Sequence, residues 1–203
     1  MPVAHSPADE HAMHLALDQA NNAWLVGEVP VGAVILRDGQ VIATGYNRPI
    51  TDHDPTAHAE IVALRHAAIL LSNYRLPECE LFVTLEPCAM CAMALMHARF
   101  KRVVFGTRDP KTGAAGSVVN LFDQPQLNHH TQCVGGVLED ACGQVLKNFF
   151  AERRALYRQR RQVPPALNSL SGGADPLVIP TGESEELPPD TDFSDPDLPP
   201  LSP

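Results

Sequence analysis

Two short stretches carry residue types that could bind a metal and move protons, His58-Ala59-Glu60 and Pro87-Cys88-Ala89-Met90-Cys91. Cys88 and Cys91 are three residues apart, so on a helix their thiols leave one face a single turn apart. Pro87 suits the first position of that helix, and the positive helix N-terminus favours thiolates. Two thiolates and one imidazole make a three-ligand zinc site with its fourth position open to water, which is the catalytic arrangement.

Glu60 is not needed as a ligand, so we predict that it moves protons at the zinc-bound water. H-x-E followed by P-C-x-x-C is the signature of zinc deaminases. A C-x-x-C pair alone is equally typical of a structural or redox pair, but both halves occur here in order, with 27 residues between Glu60 and Cys88. The sequence therefore predicts one Zn²⁺ per chain on His58, Cys88 and Cys91.

The hydrophobic pattern predicts an α/β fold that positions these stretches. Helices are predicted at about 9–26, 58–72, 87–99 and 137–161, and strands at 31–36, 41–47, 81–85, 102–106 and 132–134. Asp9 is the predicted cap of the first helix. The strands at 81–85 and 102–106 should be parallel, joined by a crossover helix, which puts the metal at a strand's carboxyl end.

The charge is divided unevenly along the 203 residues. The chain carries 15 basic and 24 acidic groups, but eight acids and no Lys or Arg follow Arg161. Ten of the 19 prolines also lie in 164–203. We therefore predict a zinc-dependent deaminase domain over residues 1–162 and a disordered, Pro-rich acidic tail over residues 163–203.

Nothing in the sequence indicates secretion or membrane insertion. The first residues lack a charged start followed by an apolar run, and no apolar stretch approaches membrane-spanning length. Five cysteines are too few for a disulfide framework in a chain this long. We expect a soluble, cytoplasmic protein without a membrane segment, whose remaining cysteines are reduced.

From about Asp9 to Arg154 the chain resembles the bacterial tRNA-specific adenosine deaminases. The resemblance rests on motifs around and beyond the signature: Glu28-Val29-Pro30-Val31-Gly32-Ala33, Tyr46-Asn47-Arg48-Pro49, Asp54-Pro55-Thr56-Ala57-His58-Ala59-Glu60, Val83-Thr84-Leu85-Glu86-Pro87-Cys88, Asp109-Pro110-Lys111-Thr112-Gly113-Ala114-Ala115-Gly116-Ser117, Leu127-Asn128-His129 and Phe149-Phe150. Met93 stands where many members have glycine, and the tail has no counterpart in the family.

The resemblance implies a three-layer α/β/α, cytidine-deaminase-like fold, with a mixed central sheet of about five strands and helices on both faces. It implies hydrolytic conversion of the wobble adenosine of a tRNA anticodon to inosine, by zinc-activated water with Glu60 as proton shuttle. Asn47 would meet the flipped nucleoside, and Asp109 a ribose of the anticodon loop, where a 2′-hydroxyl distinguishes RNA from DNA. Further substrate contacts are implied for Lys111, Asn128, Phe149 and Arg153. A homodimer is implied, and no DNA partner is expected.

Alternatives remain open at this point. The same zinc chemistry would serve a free nucleobase, nucleoside or nucleotide, and a non-catalytic, zinc-stabilised RNA-binding module is a third reading. Asp109 could do no more than cap a turn with Pro110. Arg153 and Arg154 could do no more than stabilise the end of a helix.

Overall fold

The computed structural model describes residues 5–162, so the predicted disordered tail lies outside the described residues. The strands are β1 (Gly32–Arg37), β2 (Gln40–Tyr46), β3 (Cys79–Leu85), β4 (Arg102–Thr107) and β5 (Gln132–Gly135). The helices are α1 (Pro7–Leu25), α2 (Pro49–Asp52), α3 (Ala59–Leu70), α4 (Ala89–His97) and α5 (Glu139–Gln162). The short helix α2 lies between the strand predicted at 41–47 and the helix predicted at 58–72, where no helix was predicted.

The five strands form one mixed sheet in the order β2-β1-β3-β4-β5. Strand β1 is antiparallel to both of its neighbours, while β3, β4 and β5 run parallel to one another. The predicted mixed sheet is therefore confirmed, including the parallel pairing of the two strands that flank α4. Because these strands are parallel, the segments that leave β3 and β4 start at the same edge of the sheet.

Helices cover both faces of the sheet, as predicted. Helices α3 and α4 pack on one face against alternate strand residues such as Ile35, Val83 and Phe105. Helices α1 and α5 pack on the other face, where Val34 and Val104 are buried. The sequence supplies this arrangement through apolar runs in the central strands, which are buried on both sides.

Gly45 in β2 brings α3 unusually close to the sheet. A side-chain carbon at this position would lie 2.4 Å from the Ala59 carbonyl oxygen and 2.6 Å from the Ala63 nitrogen. Only glycine permits this approach of helix backbone to strand backbone. The contact fixes the first turn of α3, which follows His58 directly.

Two predicted helix starts were wrong. Helix α1 begins at Pro7, and its cap is Ser6, whose Oγ accepts from the Asp9 N–H at 3.1 Å. Ser6 rather than Asp9 caps the helix because the following Pro7 suits the first helical turn. Helix α4 begins at Ala89, so Pro87 lies outside it. The reason is that the Pro87 carbonyl oxygen accepts from another loop, at Ala114 N–H, 2.8 Å away.

Within residues 5–162, no helix combines the length and apolar character that crossing a bilayer would require.

Candidate metal centre and its flanking loops

Three predicted ligands meet where two helices begin. His58 is the N-cap residue of α3 and Cys88 the N-cap residue of α4, both with extended backbone, while Cys91 lies in the first turn of α4. The Sγ atoms of Cys88 and Cys91 lie 3.7 and 3.6 Å from His58 Nδ1. One ligand atom from each residue lies within 4.8 Å of the others. Both cysteines are free thiols rather than a disulfide.

These distances fit a tetrahedral zinc ion. Bond lengths of about 2.3 Å to sulfur and about 2.0–2.1 Å to nitrogen would separate a thiolate from an imidazole by about 3.6 Å. The donor set also suits zinc, since thiolate and imidazole are ligands that this ion prefers. Three protein ligands leave one coordination position for water or substrate.

The two thiols titrate as a pair. A hydrogen bond from Cys91 lowers the pKa of Cys88 to about 4, which burial opposes and His58 favours. The same hydrogen bond, followed by burial, raises the pKa of Cys91. The cluster thus stabilises one thiolate by itself, and zinc coordination would deprotonate the second.

Glu60 is buried beside this cluster, with 4% of its surface exposed. Burial raises the pKa of its carboxyl to about 7, while its own main-chain N–H and His58 oppose that rise. A carboxyl that titrates near neutral pH can both accept and release a proton. A bound divalent cation would lower this pKa, because its charge favours the carboxylate.

Asn47 holds the backbone between the histidine and the glutamate. Its Oδ1 accepts from the Ala59 N–H at 3.0 Å. His58 occupies the N-cap position without a side-chain capping bond, so Asn47 supplies the missing acceptor from the end of β2. The predicted substrate-binding residue therefore also contacts the segment that presents Glu60.

A buried carboxylate, Glu86, organises the loop of residues 109–117. It follows β3 directly and is 2% exposed. Its oxygens accept from the main-chain N–H groups of Asp109, Ala115 and Ser117 at 3.0, 2.8 and 3.1 Å, and from the Ser117 hydroxyl. The loop is thereby attached to the strand that leads into Cys88.

A second buried carboxylate, Glu28, fixes the other loop that flanks the metal centre, between Asn47 and His58. It is 2% exposed, and its Oε1 accepts from Thr51 N–H at 2.7 Å and from Thr51 Oγ1 at 2.9 Å. Thr51 belongs to α2, in the segment between Asn47 and His58. Both loops that flank the metal centre are therefore fixed by a buried carboxylate that sequence analysis did not single out.

The sequence contained a signal for both glutamates. Each is an acid among apolar neighbours in a quoted motif, Glu28 before Val29 and Glu86 after Leu85. Buried acids of this kind require partners. Their partners are largely main-chain N–H groups, which the sequence does not distinguish.

The residues predicted to contact RNA are placed differently from one another. Asp109 accepts at Oδ1 from Lys111 N–H at 2.9 Å and at Oδ2 from Thr112 Oγ1 at 2.6 Å, so it does cap a turn. Asn128 is exposed, and its carbonyl oxygen accepts from Arg99 at 3.0 Å. Arg99 follows the C-terminal end of α4, whereas the metal ligands lie at its N-terminal end. The structure does not bring Asn128 to the metal centre of its own chain.

Phe149 and Arg153 lie together on α5. The Phe149 ring is 4% exposed and packs edge-on against Trp24 at 5.7 Å. The Arg153 guanidinium lies 4.9 Å from the centre of that ring and donates to the Gly27 carbonyl oxygen at 2.8 Å. The ring is thus covered within the chain, while the partly exposed arginine is held at the end of α1.

Comparison with known proteins identifies the class that this fold and site define. The family model for the cytidine and deoxycytidylate deaminase zinc-binding region matches residues 6–107. The tRNA-specific adenosine deaminase of Haemophilus influenzae is 50% identical over 167 residues, 82% of this chain and 95% of that protein. The Bacillus subtilis enzyme of the same name is 42% identical over 154 residues, 76% and 96% of the two chains.

A solved structure adds to these relatives. It comes from studies of A-to-I editing by tRNA:A34 deaminases at the wobble position of transfer RNA. It superposes with a TM-score of 0.65 at 46% identity, covering 67% of this chain and 99% of that one. Within the zinc-binding deaminases, this chain belongs to the tRNA-specific adenosine deaminases.

Proposed function

We propose that this chain hydrolytically deaminates the wobble adenosine of a tRNA anticodon to inosine, releasing ammonia. The observation that carries the proposal is the buried Glu60 next to a three-ligand cluster that fits zinc. The relatives named tRNA-specific adenosine deaminase support the substrate, because they are aligned over almost their whole length.

His58, Cys88 and Cys91 would hold the ion. When bound, zinc supplies a water of lowered pKa as nucleophile at neutral pH. Glu60 would take one proton from this water and pass it to the ring nitrogen N1. It would then take the second proton of the same oxygen and pass it to the departing amine. Burial suits it to this task, because it raises the pKa against the lowering by the bound ion, so the carboxyl can release as well as accept a proton.

The flanking loops present the groups proposed to bind RNA. Asn47 would contact the flipped nucleoside from the start of α3, and Asp109 would accept from a ribose 2′-hydroxyl. Lys111 is exposed on the same loop as Asp109 and would contact phosphate. Arg153 adds positive charge at α5, and Phe149 would act by supporting Arg153 rather than by stacking on a base.

We further propose a homodimer, formed through a groove between α3 and α4. The groove measures about 400 Å³, and its lining includes Leu64, Tyr74 and Arg99. Ile69 and Leu70, at the nearby end of α3, are 77% and 62% exposed, and Tyr74 is 69% exposed. Apolar exposure of this kind is typical of interaction surfaces. Light scattering at several protein concentrations tests the dimer.

The dimer would also account for the placement of Asn128. Its carbonyl oxygen is bonded to Arg99, a residue of the groove, so Asn128 would lie near the interface. From there it could contact RNA held by the neighbouring chain. We propose that the protein acts in the cytoplasm, the compartment of its tRNA substrate.

Two other functions are separated by one experiment. The protein is incubated with an anticodon hairpin carrying wobble adenosine, and separately with free adenosine and cytidine. Inosine, uridine and binding of the hairpin are measured. We expect inosine in the hairpin only. Deamination of the free nucleosides alone would favour a small-molecule deaminase, and RNA binding without turnover would favour a non-catalytic module.

A further inference from the structure

Glu86, directly after β3, accepts four hydrogen bonds from the 109–117 loop. One oxygen, Oε1, accepts from the main-chain N–H groups of Ala115 and Ser117. The other, Oε2, accepts from the Asp109 N–H and the Ser117 hydroxyl. The two oxygens thus hold both ends of the 109–117 loop at one point.

The loop is also bonded to the residues that follow Glu86. The Ala114 N–H donates to the Pro87 carbonyl oxygen at 2.8 Å, and Gly113 forms an antiparallel bridge with Cys88. The loop that carries Asp109 and the segment that carries a metal ligand are therefore one bonded unit. Glu86 lies at its centre.

The backbone of the loop packs directly against this carboxylate at Gly113. A side-chain carbon on Gly113 would lie 2.5 Å from Glu86 Cδ and 2.5 Å from the Asp109 carbonyl oxygen. The glycine lets the loop backbone close over the carboxylate. A buried carboxylate accepting several N–H bonds is held strongly in one orientation.

We propose that Glu86 is a positioning residue that determines RNA recognition: it orients the 109–117 loop so that the Asp109 carboxylate faces a ribose of the substrate. It acts through the loop and does not touch the reacting atoms. The inference rests on the proposed function, and it deepens that function by naming the group that sets the geometry of RNA contact.

The substitution Glu86→Gln tests this with little change of volume. The amide retains one acceptor oxygen, which can serve Ala115 and Ser117, but places an NH₂ group against the Asp109 N–H. Donor then faces donor, so the Asp109 end of the loop is released. We expect the KM for an RNA anticodon hairpin to rise about tenfold or more, as loss of a charged hydrogen bond implies.

Other properties should change little. Zinc content and kcat should stay within about threefold of wild type, because the ligands and Glu60 are untouched. The preference for the RNA hairpin over its DNA analogue should fall, since Asp109 no longer faces the 2′-hydroxyl. A merely structural role would lower the amount of active protein for both hairpins equally, without this split.

Glu80→Gln is the matched control, because Glu80 lies six residues earlier at the opposite end of β3 and pairs with Arg102. Its KM and its preference for RNA should equal those of wild type. Ser117→Ala removes one donor to the same Glu86 oxygen that binds Asp109. It should raise KM in the same direction by about threefold, and it provides the test should Glu86→Gln fail to fold.

The outcomes are distinct. A wild-type protein that neither binds nor deaminates the hairpin overturns the proposed function and this inference with it. An active wild type whose Glu86→Gln and Ser117→Ala variants keep their KM and RNA preference overturns the inference alone. Loss of kcat or of zinc with KM unchanged also overturns it.

Discussion

The acidic side chains at the two ends of the central sheet have different kinds of partner. At the end away from the metal ligands, Asp9 and Glu80 are both paired with the guanidinium of Arg102, at N–O distances of 2.5 and 2.7 Å. At the metal end, Glu86 is held by main-chain N–H groups and a hydroxyl, and Glu60 is buried beside the cluster of ligands.

The difference shows how one sheet serves stability and chemistry separately. The Arg102 guanidinium lowers the pKa of Asp9 and so favours its carboxylate, which suits an anchor between α1 and the sheet. Main-chain donors orient Glu86 without adding a cationic side chain beside the metal. Burial raises the pKa of Glu60 to about 7, which suits its proposed role in proton exchange. The predictions below test this division.

The largest effect is expected from Cys88→Ala at the metal end. Loss of one of three ligands should remove most of the zinc and lower inosine formation by at least about 10²-fold, because the ion supplies the nucleophile. Zinc content by atomic absorption and inosine by chromatography measure both. The control is Cys133→Ala, which replaces a partly buried cysteine of β5 and should leave the zinc content unchanged. Full occupancy in Cys88→Ala would show that the ligand assignment is wrong.

Arg102→Met tests the other end. It leaves the buried Asp9 without its cation and removes the nearer of the two cations beside Glu80, and should lower the free energy of unfolding by about 2–4 kcal/mol. Urea denaturation measures this, while zinc content and kcat below the melting transition should be unchanged. Lys101→Met is the control: its ammonium is exposed and 3.6 Å from Glu80, so the cost should stay below about 1 kcal/mol. An equal cost would contradict the special role of Arg102.

Sequence patterns predicted which residues meet at the metal end, but not the residues that support them. His58, Glu60, Cys88 and Cys91 were identifiable because residue type and order limit what they can do. The parallel pairing of β3 and β4 followed from the strand-helix-strand order. The hydrogen-bond partners of Asn47 and Glu86 could not be predicted, because they are largely backbone groups of distant segments.

The positions of Pro87 and Asn128 both depend on non-local contacts. Pro87 was assigned to a helix by its local preference, but its carbonyl oxygen is bonded to the 109–117 loop. The place of Asn128 depends on the parallel pairing of β4 and β5. The connection between them starts at the metal end and must return to the opposite end, which carries Asn128 away from its own chain's metal ligands.

The Asp9–Arg102 pair predicts a pH dependence of stability. Burial would raise the pKa of Asp9, but hydrogen bonding and the charge of Arg102 together hold it below its ordinary 3.8. Because the pKa of Asp9 is lower in the folded state, its ionised carboxylate stabilises the fold fully above the unfolded-state pKa of 3.8. This stabilisation is lost as the pH falls through the folded-state pKa. Urea melts of wild type and Asp9→Asn should therefore converge from about pH 6 to about pH 3. A constant difference would contradict the ionic role.

A smaller effect is expected from Asp109→Asn. The amide keeps one acceptor for the turn but weakens the proposed contact to a 2′-hydroxyl, so the preference for an RNA over a DNA hairpin should narrow by about three- to tenfold. Rates on the two hairpins, measured side by side, give this ratio. Thermal melting should change little. An unchanged ratio would leave Asp109 as a turn cap only.

The comparison of Glu60→Gln with Glu80→Gln tests the central claim most directly. Both variants remove one carboxylate, but only Glu60 is placed to carry protons. Single-turnover inosine formation on the hairpin, normalised to zinc content, should fall by about 10²–10⁴-fold or more in Glu60→Gln and stay near wild type in Glu80→Gln. Activity of Glu60→Gln within a few-fold of wild type, at full zinc occupancy, would contradict its role as the proton carrier.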